Sequence, residues 1–214
     1  MTFKLDKRSV RKYALVTVTC LTLLLWATWH ASARTITGNE LIVFRYINNW
    51  PELLSSVFLL ITQLGSAWML FAVTLLLLWK KLNRLALRVF FGGVIAYLIT
   101  EFLKQLVARP RPFELLPGVH LHEYFVTGYG FPSGHTALAT IVSLIIVASL
   151  PKRWRWLPVV WVVPVGVSRV YLGVHAPLDV VAGCMIGTLV FIASQAIGRK
   201  LKTVTKITNL SMTK

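Results

Sequence analysis

The sequence predicts an all-α integral membrane protein of six spans, and three observations carry that expectation. Of 214 residues 56% are hydrophobic and 14% charged, and mean hydropathy is +0.69. That is too apolar for a soluble domain and too short for more than one membrane unit. Six long apolar runs follow one another. The cations behind the net charge of +16 punctuate those runs; a nucleic-acid-binding domain would gather them in one polar module, so that class of partner is excluded. No internal repeat or low-complexity linker divides the chain, so residues 1–214 read as a single domain.

The first apolar run, Tyr13 to about Ala33, follows Lys4, Lys7, Arg8, Arg11 and Lys12. Ala31-Ser32-Ala33 resembles a signal cleavage site, but a run of about 20 residues is long enough to cross a bilayer, so it is read as an uncleaved first span. Gly38 to Trp50 sets Leu41, Ile42, Phe44 and Ile47 among polar residues, the pattern of a helix lying in the membrane surface. The second span runs from about Leu53 to Trp79 with an interruption near Gln63 and Gly65, and the third from about Leu85 to Val107. Ser133 opens the fourth, which ends before Lys152, Arg153 and Arg155; the fifth covers Trp154 to Leu172 and the sixth Pro177 to about Ile197. Trp26, Trp29, Trp68, Trp79, Trp154, Trp156 and Trp161 fall mostly near span ends, where aromatic belts form.

Six spans place both termini on one side, and cation counts say which. The N-terminus holds five Lys and Arg, the second-to-third connection with Arg88 four, the fourth-to-fifth connection three and the tail five, together 17 of 23. Arg34, Arg45, Lys104, Arg109, Arg111 and Arg169 remain on the other face. Positive-inside bias puts both termini in the cytoplasm and the second set outside.

Three outside segments carry chemistry. In KQLVARPRP, Lys104 sits near the end of a span, where an unpaired cation deep in hydrocarbon costs about 2.5–3.5 kcal/mol. Glu101, three residues earlier, can compensate it as a helical neighbour. Pro110 and Pro112 stop the helix and leave Arg109 and Arg111 on rigid backbone. In GYGFPSGH, Ser133 reads as an N-cap with Gly134 and His135 in the first helical turn, which aims free N–H groups outward as an anion site. In SRVYLGVHAPLD, Arg169 offers a planar fork suited to phosphate oxygens, and Asp179, four residues after His175, can hold the imidazole in one tautomer if Pro177 begins a helix. Cations, a helix N-terminus and two imidazoles at one end of the bundle suit stepwise phosphoryl transfer with a nucleophile and a general acid. The residues alone do not choose between His175 and His135 as nucleophile.

K-x6-RP (Lys104, Arg111, Pro112), PSGH (Pro132 to His135) and SR-x5-H-x3-D (Ser168, Arg169, His175, Asp179) together resemble the three signature motifs of the type 2 phosphatidic acid phosphatase family. The resemblance implies a helical membrane phosphatase acting on lipid phosphates without metal or cofactor. It implies that Lys104, Arg111, Ser133, Gly134 and Arg169 bind the phosphate, that His175 attacks phosphorus, that Asp179 orients His175, and that His135 protonates the leaving oxygen. Arg109 holds no motif position and is left without a role.

His120, His122 and Glu123 spell HLHE, and two alternating histidines in a loop are read as solvated residues near the substrate entrance rather than metal ligands. Cys20 and Cys184 lie inside apolar runs with neither disulfide nor zinc spacing. The expectation is an inner-membrane enzyme with its active site at the periplasmic ends of the helices and lipids as partners. Its small size and lack of an appended soluble domain fit undecaprenyl diphosphate as substrate, with phosphatidylglycerophosphate and phosphatidic acid as close competitors that nothing in the sequence separates. A phosphotransferase passing the group to another lipid is the rival activity, and a lipid-binding or scrambling protein is disfavoured because binding alone needs no Asp179. No oligomeric state is specified.

Overall fold

A computed structural model describes residues 7–123 and 126–211. Lys4 and Lys214, counted above as cytoplasmic cations, lie outside the described residues, as do the side chains of Lys7, Arg8 and the cations after Ile197. The described residues form helices joined by turns, with no strand among them. In chain order these are α1 (Lys7–Ser32), α2 (Gly38–Asn48), α3 (Ser55–Gln63), α4 (Ala67–Trp79), α5 (Asn83–Val107), the single turn α6 (Pro112–Leu115), α7 (Gly134–Ala148), α8 (Leu157–Tyr171) and α9 (Pro177–Ser211).

The expected landmarks fall where the sequence put them. The second run breaks between Gln63 and Ala67 with a 49° bend. Ser66 caps the outgoing half, its hydroxyl accepting from the Met69 N–H at 3.3 Å. Ser133 caps α7 in the same way through Thr136, and Pro177 opens α9.

Span length is where the observed helices depart from six equal crossings. Arg11–Ser32, Asn83–Leu115 and Pro177–Ile197 are long and apolar enough to cross a membrane, and the bent pair Glu52–Gln63 and Ala67–Trp79 makes a fourth if taken as one span. The helices α7 and α8 have 15 residues each, about 22 Å at 1.5 Å per residue against the ~30 Å of a hydrocarbon core. Both are cut short mainly at the end away from the predicted site: α7 stops at Ala148, and α8 begins only at Leu157, after Pro151 and the turn at Lys152–Trp154.

α7 is the axis of the bundle. Residues from Thr136 to Val142 are buried on every side, and Leu138, Ile141 and Ile145 pack with Leu70 of α4, Val89 and Ala96 of α5 and Ile186 of α9. A helix wrapped by protein all round escapes the need for a lipid-facing surface. Its closest partner is α9, where Gly183 and Gly187 meet the carbonyls of Ser133 and Ala137; a Cβ at either would strike them. That approach locks the PSGH turn to the helix carrying Asp179. Around the bundle large apolar side chains face outward, among them Trp29 (78% exposed) and Trp68 (80%) with Leu25 and Leu60, a surface that water does not stabilise and lipid does.

Candidate active site

The three motif segments meet in one cavity of about 240 Å³. Its walls include Lys104 from α5, Arg111 from the following turn, Gly134 and His135 from α7, Arg169 from α8 and His175 from the α8–α9 connection. Six of the eight predicted site residues therefore line the space directly. Ser133 and Asp179 stand behind that wall, both fully buried.

Arg111 is held before any ligand arrives. Its Nε donates to the Gly128 carbonyl at 2.8 Å, Nη1 to Val174 at 3.0 Å and Nη2 to Thr127 at 2.8 Å, and its backbone N–H is taken by Glu114 at 2.7 Å. Three carbonyls fix the plane of the guanidinium, so little side-chain entropy is left to lose on binding. Arg169 donates from Nη1 to Thr62 at 2.8 Å and to Glu123 at 2.7 Å, while its buried Nε has no partner. A buried, unsatisfied guanidinium donor is costly alone and is the natural place for an acceptor oxygen. Lys104 pairs with Glu101 at 2.7 Å, the compensation expected for a cation near a span end, and still lines the cavity.

The chain turns at Gly173 (φ +76°), where a side chain would be strained and would also meet the His120 carbonyl. That turn carries His175 over the start of α9. Its Nδ1 lies 3.4 Å from Asp179 Oδ2, longer than an N–H···O bond of roughly 2.7–3.2 Å, and is otherwise without a partner; the Gly130 backbone also faces the ring. Burial, then the positive charges of Arg111, Arg169 and Lys104, hold the His175 imidazole well below its ordinary pKa, so it stays neutral at pH 7.

Asp179 ties the segments together. Oδ2 accepts the Ala176 N–H at 2.8 Å, Oδ1 accepts Arg109 Nη1 at 2.9 Å, and its carbonyl accepts the Ser133 N–H at 2.9 Å. Ser133 thus spends its N–H on Asp179, while its hydroxyl accepts from the Thr136 N–H and hydroxyl. Its neighbours Gly134 and His135 present the helix start to the cavity.

Four residues went unassigned or misread in the sequence. Arg109 is buried against Asp179 and Glu40; its burial is invisible without the fold, although its place between two motif positions was a signal. Glu40, 69 residues away from Arg109 in the chain, had no local signal at all. Glu123 and His122 are not solvated loop residues: Glu123 pairs with Arg169 on the cavity wall, and His122 stacks on Tyr171 (centroids 4.9 Å apart) with Nδ1 3.2 Å from the Ser55 hydroxyl. The connection is folded down because the Asn48 side chain bonds the His120 backbone through both its amide and its carbonyl.

Comparison with known proteins places the same residues in one frame. The sequence profile of the PAP2 superfamily matches residues 85–202, which include all eight predicted site residues. An undecaprenyl-diphosphatase of Sulfolobus acidocaldarius is 33% identical over 154 residues, 71% of this chain and 74% of that protein. Among solved structures, Aquifex aeolicus LpxE superposes with a TM-score of 0.67 at 29% identity, over 75% of this chain and 96% of that one. A transmembrane PAP2-type phosphatidylglycerolphosphate phosphatase from Bacillus subtilis gives 0.66 at 27% identity, over 85% and 96%.

Proposed function

Because the chain belongs to the PAP2 superfamily, we propose that it is a membrane lipid phosphatase working through a phosphohistidine on His175, without a metal. The observation that carries this reading is the single cavity walled by Lys104, Arg111, Arg169, the start of α7 and both histidines, with Asp179 behind His175. The three cations and the helix N-terminus that Ser133 caps and Gly134 begins take the equatorial phosphate oxygens, where charge builds in the transition state. Asp179 keeps the proton on Nδ1 of His175, leaving Nε2 with its lone pair. Nε2 attacks phosphorus, the bond from phosphorus to the leaving oxygen breaks, and that oxygen takes a proton from His135. Water then attacks the phosphohistidine, giving a proton to His135, and inorganic phosphate departs with both histidines restored.

The preferred substrate is undecaprenyl diphosphate, cleaved to undecaprenyl phosphate; the name of the Sulfolobus relative supports it. Phosphatidylglycerophosphate is the second reading, favoured by the Bacillus structure, and phosphatidic acid shares its chemistry. The 17-of-23 division of cations supports six crossings in a cell inner membrane, with both termini cytoplasmic and the cavity at the periplasmic face. Phosphate release from these three lipids by purified protein in detergent, with and without EDTA, tests the proposal. Fastest release from undecaprenyl diphosphate, undiminished by chelator, is the expected result. A dependence on a second lipid as acceptor would make the protein a phosphotransferase, and no release from any lipid phosphate would refute the reading.

A further inference from the structure

The buried chain of charges behind His175 does not end at the aspartate. Arg109 is 1% exposed, yet it makes four bonds through its two terminal nitrogens: Nη1 to Asp179 Oδ1 (2.9 Å) and Glu40 Oε1 (3.0 Å), Nη2 to Glu40 Oε2 (2.6 Å) and the Thr35 carbonyl (2.6 Å). Glu40 Oε1 also accepts the Leu178 N–H of α9 at 3.1 Å, so α2 is fastened to the helix turn that presents Asp179. Ala108, in the left-handed conformation at φ +49°, turns the chain out of α5, and the Gly130 N–H on the Arg109 carbonyl (2.8 Å) holds it there.

Taking two carboxylates and a guanidinium out of water is expensive, and an apolar trio would fill the same space at lower cost. The charge arithmetic suggests what the arrangement is for. Arg109 alone would neutralise Asp179 and leave nothing to balance positive charge on the imidazole. Glu40, gripping the far side of the fork in bidentate fashion, restores one net negative charge to the Asp179–Arg109–Glu40 group. We propose that Glu40 and Arg109 are positioning residues for the phosphoryl transfer: Arg109 fixes the carboxylate plane of Asp179, and Glu40 returns the charge that lets Asp179 stabilise His175 as it becomes cationic. Glu40 lies outside the stretch matched by the family profile, so α2 completes the reaction centre from the N-terminal part of the chain.

The proposal rests on His175 as nucleophile, and the test separates the two. Purified wild type, Glu40→Gln, Arg109→Lys and His175→Ala are compared for kcat, KM and the pH dependence of kcat/KM. The charges facing His175 are Asp179 from α9, Lys104 from α5 with Glu101 beside it, Arg111, Arg169 from α8 with Glu123 beside it, and His135 from α7. None of these changes in Glu40→Gln. Glu40→Gln is expected to lower kcat by about ten- to a hundredfold, the scale known for outer-shell partners of metal-ligating histidines, with KM unchanged. Its acid limb moves to lower pH, because a lost negative charge disfavours imidazolium. Arg109→Lys keeps the charge and loses the planar fork, so its kcat falls while the limb stays. Wild-type kcat in either folded variant, a loss confined to KM, or an unmoved limb in Glu40→Gln would overturn the inference. If Glu40→Gln does not fold, Arg109→Lys decides on kcat and KM alone. Turnover surviving in His175→Ala would instead remove the nucleophile on which the inference stands.

Discussion

Asp179→Asn tests the coupling between packing and chemistry, because the same two oxygens serve both. Oδ1 accepts from Arg109 at 2.9 Å and Oδ2 from the Ala176 N–H at 2.8 Å while facing His175 Nδ1 at 3.4 Å. An amide has one acceptor and two donors, so either orientation leaves a donor against a donor. With its oxygen toward Ala176 the NH2 confronts the Arg109 guanidinium; flipped, it confronts the Ala176 N–H and His175, favouring the tautomer whose Nε2 is protonated and cannot attack. Removing one partner of a buried ion pair costs about 3–5 kcal/mol. Arg109 keeps Glu40 and Thr35, which puts this variant at about 3 kcal/mol. Loss of the charge and the correct tautomer lowers turnover by about 10²–10⁴, the upper figure being the effect of the corresponding change in a Ser-His-Asp triad. The assay is initial-rate phosphate release beside thermal unfolding of the same preparation in detergent. Turnover within about threefold of wild type, with or without the loss of stability, would show that Asp179 is a packing residue and refute the orienting role.

His135→Ala hurts lipid substrates most and an activated aryl phosphate least, because a good leaving oxygen needs no proton; equal loss on both would deny His135 the acid role. Since burial and three neighbouring cations depress the His175 pKa, the acid limb of kcat/KM attributable to His175 lies below pH 6.5, and a limb above 6.5 would contradict a buried neutral nucleophile. The same depression means the unfolded chain binds the extra proton first, so stability at pH 7 is undiminished and falls as pH drops below about 6.5, measured by unfolding across pH. A cysteine at exposed Pro117 reacts with an impermeant thiol reagent from the periplasm and one at exposed Asn83 from the cytoplasm; the reverse pattern would overturn the orientation.

What the sequence disclosed was what local chemistry decides. The break near Gly65, the caps at Ser133 and the helix opened by Pro177 each follow from residues within one turn, and the motif side chains follow from spacing. Length misled for α7 and α8, since their apolar runs continue into the connection between them, where Pro151 and the turn at Lys152–Trp154 interrupt the helix. Arg109 looked like a spare cation because its partners, Glu40 and Asp179, are about 70 residues away on either side. Glu123 looked solvated because nothing near it announces Arg169, 46 residues on. Buried ion pairs between distant segments are a property of the fold and leave no periodic trace in the chain.

The covalent step at His175 is the centre of the account, and trapping it is the direct test. Wild-type protein mixed with a lipid substrate radiolabelled in the phosphoryl group transferred, then quenched in base within the first turnover, is predicted to carry protein-bound label that survives base and is lost in acid, as a phosphoramidate should. The label maps to His175 and is absent from His175→Ala. Label on His135, or normal turnover by His175→Ala with no protein-bound phosphate, would contradict it.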